Sequence, residues 1–269
     1  MRSRFFFPFL FLMVTSFSPA KEPEIIAHRG YSSKAPENTL AAFKLAWEKG
    51  SDACENDIYL TSDGKIAVIH DGDTKRTTGE KKAVAQSTLA ELQALDAGSF
   101  KGAEWKGEKI PNLAECLATM PAGKQRFFIE IKCGAEIVPA LEEVLTPLKP
   151  RASQLCVISF NLGAAKATKA AMPWVQVYLL AGGKTKGVPR TDLAKLIEQA
   201  KEAKLDGLNL GADWEWNEAM VKEIRDAGLG VFAWTIDDPK VACKLAALGV
   251  DGITTNDPVL LREALAAKP

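Results

Sequence analysis

Short apolar runs alternate with amphipathic segments along most of the chain. Each run is four to eight residues long and rich in β-branched residues, which is typical of buried strands. The segments between the runs repeat apolar positions at helical spacing. The predicted strands are Glu24–His28, Ala53–Leu60, Arg126–Ile131, Gln154–Phe160, Val175–Leu180, Gly207–Leu210, Val231–Thr235 and Gly252–Thr255. The predicted helices are Asn38–Lys49, Leu113–Thr119, Ile137–Leu148, Leu162–Ala171, Leu193–Ala203, Glu218–Ala227, Val241–Leu248 and Val259–Ala267.

This alternation predicts an α/β fold in which parallel strands are joined by crossover helices. Eight strands and eight helices are the elements of a (β/α)8 TIM barrel, and 269 residues is a typical length for that fold. The alternative is a doubly wound open sheet. No glycine-rich dinucleotide motif follows the first predicted strand, which disfavours that alternative.

Residues 61–112, between the second strand and the second helix, depart from the alternation. Asp63-Gly64 is typical of a tight turn, so residues 55–60 and 65–70 are predicted to pair as a hairpin. A short helix is predicted over Leu89–Leu95. We interpret this stretch as a small insertion on the C-terminal face of the barrel, where it would cap the site.

The N-terminus has the pattern of a secretory signal peptide. Two arginines precede the apolar stretch Phe5–Val14, and residues 18–20 offer a small-residue cleavage site. We expect residues 1–20 to be removed and residues 21–269 to form a single exported barrel domain, periplasmic or secreted. The apolar stretch is about half of the ~20 residues that a membrane span needs, so no stable span is expected after processing. An uncleaved N-terminal anchor is the alternative.

The charge balance gives no electrostatic case for a nucleic-acid partner. Lys and Arg number 34, as do Asp and Glu, and loss of residues 1–20 would leave 32 basic against 34 acidic residues. The expected partner is therefore a small-molecule substrate, and the oligomeric state is not indicated.

The five cysteines are spread without the spacing of a zinc site or a disulfide framework. Cys54, Cys133 and Cys156 fall in apolar runs, which is typical of buried free thiols. One disulfide stays open as an alternative, because export leads to an oxidising compartment.

Acidic side chains stand on two of the predicted strands. Glu55 and Asp57 are two residues apart on the second strand, so both point to the same face, and Glu130 lies near the end of the third. In a barrel, the C-terminal strand ends open into one shared pocket. Three carboxylates without a cysteine or a third histidine favour one hard divalent cation, Mg²⁺ or Ca²⁺, over zinc.

Basic and imidazole groups are predicted to meet the carboxylates there. His28 and Arg29 end the first strand, His70 follows the apolar run after the turn, and Lys132 follows the third strand. Arg29 can hold a phosphate with two parallel hydrogen bonds, and Lys132 can add a point charge. His28 and His70 can divide general acid and general base duties. Alone, each residue has a purely structural interpretation, but their joint placement at successive strand ends favours metal-assisted hydrolysis of a phosphate ester.

Several ordered motifs make the pattern specific. They are His28-Arg29-Gly30, Pro36-Glu37-Asn38-Thr39, Glu55-x-Asp57, His70-Asp71 with Arg76-Thr77-Thr78-Gly79, Glu130-x-Lys132, Trp234-Thr235 and Gly252-Ile253-Thr254-Thr255-Asn256-Asp257-Pro258. On these motifs the chain resembles the glycerophosphodiester phosphodiesterase family over about residues 24–260.

The resemblance implies a barrel related to phosphatidylinositol-specific phospholipase C. It also implies hydrolysis of glycerophosphodiesters to glycerol 3-phosphate and an alcohol. The family's two catalytic histidines map onto His28 and His70, and its phosphate-binding arginine maps onto Arg29. Its metal carboxylates map onto the three acidic residues described above, and Lys132 matches a basic position near the substrate. No member of this catalytic set is missing from the sequence.

Two further motif residues have competing interpretations. Glu37 matches the family motif, so a role linked to the metal or its ligands competes with a place at the start of a helix that Asn38 or Thr39 caps. Trp234 ends the seventh predicted strand, where it would form an apolar wall for the glycerol or head group, or pack in the core.

Two other functions compete with this interpretation. A lipid phosphodiesterase of the phospholipase C or D type uses the same barrel, but no long apolar loop favours a membrane substrate. An exported protein that binds phosphate esters without turnover would need neither both histidines nor all three carboxylates. The residues do not distinguish water from the neighbouring glycerol hydroxyl as nucleophile, nor which histidine is the acid.

Overall fold

Eight parallel strands close into a barrel. The structure is a computed structural model that describes residues 22–183 and 192–267. Its strands are β1 (Glu24–Ala27), β2 (Ala53–Leu60), β3 (Ile66–Val68), β4 (Arg126–Ile131), β5 (Leu155–Ser159), β6 (Gln176–Ala181), β7 (Gly207–Gly211), β8 (Gly230–Trp234) and β9 (Gly252–Thr255). Strand β1 pairs with both β2 and β9, and β3 lies antiparallel to β2 outside the barrel. The closed sheet confirms the (β/α)8 barrel and excludes the doubly wound alternative.

The described residues form ten α-helices: eight surround the barrel at the positions that the amphipathic pattern predicts, and two short ones, at residues 75–78 and 89–93, lie in the insertion. They are α1 (Leu40–Glu48), α2 (Lys75–Thr78), α3 (Leu89–Gln93), α4 (Leu113–Ala118), α5 (Val138–Leu145), α6 (Leu162–Ala171), α7 (Leu193–Glu202), α8 (Glu218–Asp226), α9 (Pro239–Leu248) and α10 (Pro258–Ala266). Most of the helices that follow barrel strands start at a polar side chain that accepts a backbone N–H of the first turn. These capping residues are Thr39, Asn112, Asn161, Asp192, Asn217, Asp238 and Asp257.

Separate apolar clusters fill the inside and the outside of the barrel. The inner cluster is Ile26, Ala53, Phe128, Cys156, Ile158, Tyr178, Leu180 and Phe232. The outer cluster, against the helices, includes Cys54, Ile58 and Phe127. Because successive residues of a strand face opposite sides, Glu55 and Asp57 share the inner face with Ala53, and Glu130 shares it with Phe128. Strand alternation therefore aims all three carboxylates into the barrel.

The insertion over residues 61–112 forms a small lobe beside the end of β2. Strand β3 pairs with β2 through Ile58 opposite Val68, which confirms the predicted hairpin, and α3 lies within the predicted short helix. The lobe has its own apolar cluster, made of Ala67, Ile69, Val84, Leu92, Ala97 and Ile110. It carries His70 and Arg76 to the end of the barrel where the loop after β1 lies.

Some sequence predictions fall outside the site. The five cysteines are free thiols; Cys54 and Cys156 are buried as predicted. The prediction was wrong for Cys133, which is only partly buried because it lies beyond the end of β4. Among the described residues, no helix is long and apolar enough to span a bilayer. The predicted signal peptide lies outside the described residues.

Candidate active site

The loop after β1 places His28 and Arg29 at the C-terminal mouth of the barrel. Arg29 and Asn38, near the two ends of the loop, have positive φ angles of 56° and 58°. Left-handed backbone is unfavourable for such residues and clusters at functional sites. The backbone N–H of Arg29 donates to Glu55 Oε2 at 2.9 Å, and that of Asn38 donates to the Arg29 carbonyl at 3.0 Å. The loop is thereby held against the acidic residues of β2.

Glu55, Asp57 and Glu130 meet inside this mouth. Parallel pairing of β2 with β4 sets Asp57 opposite Glu130, and one carboxylate oxygen of each residue lies within 4.8 Å of the others. All three side chains belong to buried residues. Glu55 Oε1 and Asp57 Oδ1 have no hydrogen-bond partner among the described residues. Two buried acceptor oxygens thus lie next to a third carboxylate without a hydrogen bond, which is costly unless positive charge lies close to them.

The pKa values of Glu55 and Glu130 are raised, which also indicates that the cluster lacks positive charge. Burial, and then the charges of Asp57 and Glu130, raise the pKa of Glu55 well above its usual range. Burial and the charge of Asp57 raise the pKa of Glu130 to about 7. Converging carboxylates with free oxygens are the donor set that hard divalent cations prefer. The three residues therefore fit a divalent metal ion.

Two cations and one amide flank the carboxylates. Arg29 Nε lies 3.2 Å from Asp57 Oδ2, which also accepts from Asn38 Nδ2 at 2.8 Å. Lys132 Nζ donates to Glu130 Oε1 at 2.7 Å and lies 3.4 Å from Asp57 Oδ1. These groups offset part of the negative charge and fix the carboxylates in place.

Asn256 and Asp237 orient His28. Asp237 accepts from Asn256 Nδ2 at 2.6 Å and from its backbone N–H at 2.8 Å, which sets the direction of the amide. Asn256 Oδ1 then lies 2.8 Å from His28 Nδ1, and an amide oxygen only accepts, so Nδ1 carries the proton. Burial, and then the charge of Arg29, lower the pKa of His28 to about 4. His28 is therefore neutral at neutral pH, with the lone pair on Nε2.

His70 is backed by a carboxylate. Its Nδ1 lies 2.8 Å from Asp71 Oδ1, and Arg76 Nε donates to Asp71 Oδ2 at 2.6 Å. Burial alone would raise the pKa of Asp71, but the hydrogen bonds from Arg76 and His70 lower it. Asp71 is thus an anion that accepts the Nδ1 proton of His70 and leaves Nε2 for a substrate.

Glu37 lies between two arginines. It accepts from Arg29 Nη1 at 2.8 Å and from Arg76 Nη1 and Nη2 at 2.7 and 2.8 Å. Burial opposes ionisation, but the hydrogen bonds of Arg76 and the charges of both arginines lower the pKa of Glu37 to about 2. Glu37 lies outside the cluster of three carboxylates, and Thr39 caps α1. Its contacts are those of an anion that holds Arg29.

Trp234 packs in the core as one of its two interpretations predicted, and it also lines a cavity. It packs against the inner apolar cluster and donates from Nε1 to the Asn209 carbonyl at 3.0 Å. Its ring also meets that of Phe160 edge to face, with centroids 5.2 Å apart. Both rings line a cavity of about 750 Å³ at the ends of β5, β6, β7 and β8, which Leu180 and Lys195 also border.

The motifs contained further site residues whose roles sequence reasoning missed. Asn38 fixes Asp57, Asn256 fixes His28, and Arg76 joins Asp71 to Glu37. Their only signal in the sequence was membership of the ordered motifs, because each contact joins segments that meet only in the folded barrel.

The mouth of this barrel brings together a donor set for a hard cation, two imidazoles and two basic side chains. That combination defines a barrel enzyme equipped for phosphate-ester chemistry. Residues 28–260 match the family model described as the glycerophosphoryl diester phosphodiesterase family. The chain belongs to this family of phosphoric diester hydrolases.

Relatives of the same family align with this chain over almost their whole length. YhdW of Bacillus subtilis (strain 168), whose name assigns it only provisionally as a glycerophosphodiester phosphodiesterase, is 36% identical over 87% of this chain and 94% of its own. The glycerophosphodiester phosphodiesterase of Caldanaerobacter subterraneus is 34% identical over 88% and 95%. The solved structure of an Oleispira antarctica phosphodiesterase in complex with its product, sn-glycerol-3-phosphate, has a TM-score of 0.82 and 32% identity, covering 91% of this chain and 98% of that one.

Proposed function

We propose that this chain hydrolyses glycerophosphodiesters to glycerol 3-phosphate and an alcohol, with one bound divalent cation, Mg²⁺ or Ca²⁺. The observation that carries the proposal is the convergence of Glu55, Asp57 and Glu130 within 4.8 Å, at the barrel end that also holds His28 and His70. The product complex of the Oleispira relative supports glycerol 3-phosphate as the product here.

Each charged residue has a task in this proposal. Glu55, Asp57 and Glu130 would hold the cation, and a bound cation supplies positive charge that offsets the charge developing on the phosphate. Arg29, oriented through Glu37 and Asp57, binds phosphate oxygens with its guanidinium. Lys132 adds positive charge beside the same carboxylates.

We assign the general base to His28 and the general acid to His70. A neutral imidazole with Nδ1–H donated to Asn256 has a free lone pair on Nε2, which accepts a proton from the nucleophile, water or the neighbouring glycerol hydroxyl. His70 donates from Nε2 to the leaving alkoxide, and the anionic Asp71 at Nδ1 stabilises its positive charge before the transfer.

The direct test is product release from a panel of glycerophosphodiesters. Protein lacking residues 1–20 is incubated with glycerophosphocholine, glycerophosphoethanolamine and glycerophosphoinositol, each with Mg²⁺, Ca²⁺ or EDTA. We expect glycerol 3-phosphate to appear with a divalent ion and to stop with EDTA. Folded protein that releases none under any condition would overturn the proposal and favour a protein that binds phosphate esters.

Histidine variants test the assignment of acid and base. His28→Ala and His70→Ala should each lower kcat by ~10² or more without unfolding the protein. A p-nitrophenyl ester of glycerol 3-phosphate needs little protonation of its leaving group, so it should restore turnover in His70→Ala more than in His28→Ala. Near-normal kcat in either variant with glycerophosphocholine, or the reverse order of restoration, contradicts the assignment.

We also propose that the chain is exported and that residues 1–20 are removed. The support is the pattern of arginines, apolar stretch and small residues at the N-terminus. Expression in a bacterium, followed by mass measurement of the periplasmic and culture-medium protein, should give a chain that begins at Lys21. A full-length chain retained with the membrane fraction would support the uncleaved anchor instead.

A further inference from the structure

One arginine outside the barrel contacts two carboxylates of the site at once. Arg76, on the four-residue helix α2 of the lobe, donates from Nη1 and Nη2 to Glu37 at 2.7 and 2.8 Å. Its Nε donates to Asp71 Oδ2 at 2.6 Å. Two edges of one planar guanidinium therefore serve two carboxylates, which a lysine ammonium cannot reproduce.

Each of these carboxylates contacts a residue of the proposed reaction. Asp71 Oδ1 lies 2.8 Å from His70 Nδ1. Glu37 Oε1 accepts from Arg29 Nη1 at 2.8 Å. The chain of contacts runs from His70 through Asp71, Arg76 and Glu37 to Arg29, so the proposed acid and the phosphate-binding residue share one support.

We propose that Arg76 is a positioning residue that sets His70 and Arg29 relative to each other across the phosphate. The inference rests on the proposed function, and it adds a residue that touches neither the substrate nor the cation. Without Arg76, Asp71 loses the partner of its Oδ2 and is free to turn, and Glu37 keeps only Arg29. His70 and Arg29 would then no longer be held at a fixed position relative to each other. Misplacement of reacting groups slows catalysis steeply.

The backbone around Arg76 does not depend on its side chain. Thr74 Oγ1 donates to the Glu80 carbonyl at 2.6 Å and accepts from the Lys82 N–H at 3.1 Å. Asp73 bridges to Ala83, and Gly79 ends α2 with a φ of 77°. Since these bonds close the turn, Arg76→Ala should fold. The Arg76 side chain is 45% exposed, so solutes can reach its place in the variant.

Kinetics of four proteins test the proposal: the unaltered chain, Arg76→Ala, Arg76→Lys and the control Lys75→Ala. Lys75 is the neighbouring cation on α2, and its Nζ donates to the Gly79 carbonyl. We expect Arg76→Ala to lower kcat for glycerophosphocholine by on the order of tenfold to a hundredfold and to raise KM. Arg76→Lys should recover little, and Lys75→Ala should match the unaltered chain. Equal kinetics for Arg76→Ala and Lys75→Ala would overturn the proposal.

Variants of the two carboxylates distinguish the effect of Arg76 on His70 from its effect on Arg29. Asp71→Asn should lower mainly kcat, and Glu37→Gln should raise mainly KM. In the Asp71→Asn background, Arg76→Ala should cause little further loss of kcat; fully multiplicative losses would contradict a shared path. Guanidinium ion at millimolar concentration should partly restore Arg76→Ala and leave Lys75→Ala unchanged. A purely structural role of Arg76 predicts no such restoration.

A spectroscopic readout separates this inference from the proposed function. The chain has two histidines, so the imidazole N–H region of the NMR spectrum is simple to assign in untagged protein. The Nδ1 proton of His70, hydrogen-bonded to Asp71, should shift or exchange faster in Arg76→Ala but not in Lys75→Ala. An inactive unaltered chain would refute the proposed function. An active chain whose His70 signal is the same in all variants would refute the role of Arg76 alone.

Discussion

The three buried carboxylates lead to a prediction in which one substitution should stabilise the metal-free protein and strongly weaken its stabilisation by metal. Glu55→Gln keeps the shape of the side chain and its acceptor for the Arg29 N–H, but removes one charge from the cluster. The new amide can donate to Asp57 or Glu130, whose oxygens lie within 4.8 Å. The repulsion that a cation would otherwise offset is thereby reduced.

The expected gain follows from the geometry. At an effective dielectric constant of about 20, two unit charges 4.8 Å apart repel by roughly 3 kcal/mol. Glu55 faces two such neighbours, but Arg29 and partial protonation relieve much of the repulsion. We therefore expect the metal-free variant to be more stable than the unaltered protein by about 1–3 kcal/mol.

Urea unfolding measures both effects. Protein treated with EDTA is compared with protein in excess Mg²⁺ or Ca²⁺, and Glu202→Gln, an exposed change of the same charge, serves as control. At a hundredfold excess over Kd, the cation should stabilise the unaltered chain and the control by about 3 kcal/mol. Glu55→Gln should have a higher free energy of unfolding in EDTA than the unaltered chain, and the cation should increase that free energy far less. The prediction is contradicted if the variant is less stable than the unaltered chain in EDTA, or if the cation stabilises it as much as it stabilises the control.

Three further predictions use features outside the carboxylate cluster. Lys204 is exposed with a φ of 56°, so Lys204→Gly should raise the free energy of unfolding by roughly 1 kcal/mol. The control Glu198→Gly, within α7, should lower the free energy of unfolding by about as much. If urea unfolding shows that both substitutions lower it, the left-handed backbone at Lys204 is not strained. Because the pKa of His28 falls from 6.5 to about 4 on folding, the unfolded chain alone binds a proton there as the pH drops through this window, and stability is lost. His28→Gln should therefore lose less stability than the unaltered chain between pH 7 and pH 4, and parallel stability curves would contradict this. Trp234→Ala should raise KM for glycerophosphocholine about tenfold, the loss of one apolar contact, with a smaller effect on kcat; unchanged KM would leave Trp234 a packing residue only.

The architecture was predictable because its causes are local. Apolar runs of strand length and amphipathic segments of helical period recur along the chain, and each strand predicted from them lies within one residue of the observed one. Glu55 and Asp57 could also be placed, since spacing of two on one strand sets a common face. Burial beyond a strand end was less predictable: Cys133 lies two residues past the end of β4 and is only partly buried.

The contacts that orient the site were not predictable from one sequence. Asn38 lies 19 residues from Asp57, and Arg76 lies 39 residues from Glu37, with a folded lobe between them. No periodicity relates such positions, and Asn and Arg at loop positions are common for other reasons. Ordered motifs identified these residues as a group, but the pairing depends on how the lobe and the loop after β1 pack together.

The position of His28 depends on the closure of the barrel in a way that the cation site does not. Glu55, Asp57 and Glu130 come from β2 and β4, which are neighbours in the sheet and lie in the first half of the chain. His28, in contrast, gains its orientation across the seam between the first and last strands. Ala27 pairs with Thr255, the His28 N–H donates to the Thr255 carbonyl at 2.8 Å, and the ring contacts Asn256. The residues that would bind the cation therefore stand on two strands that pair directly, whereas the proposed base takes its orientation from contacts that join the two ends of the chain.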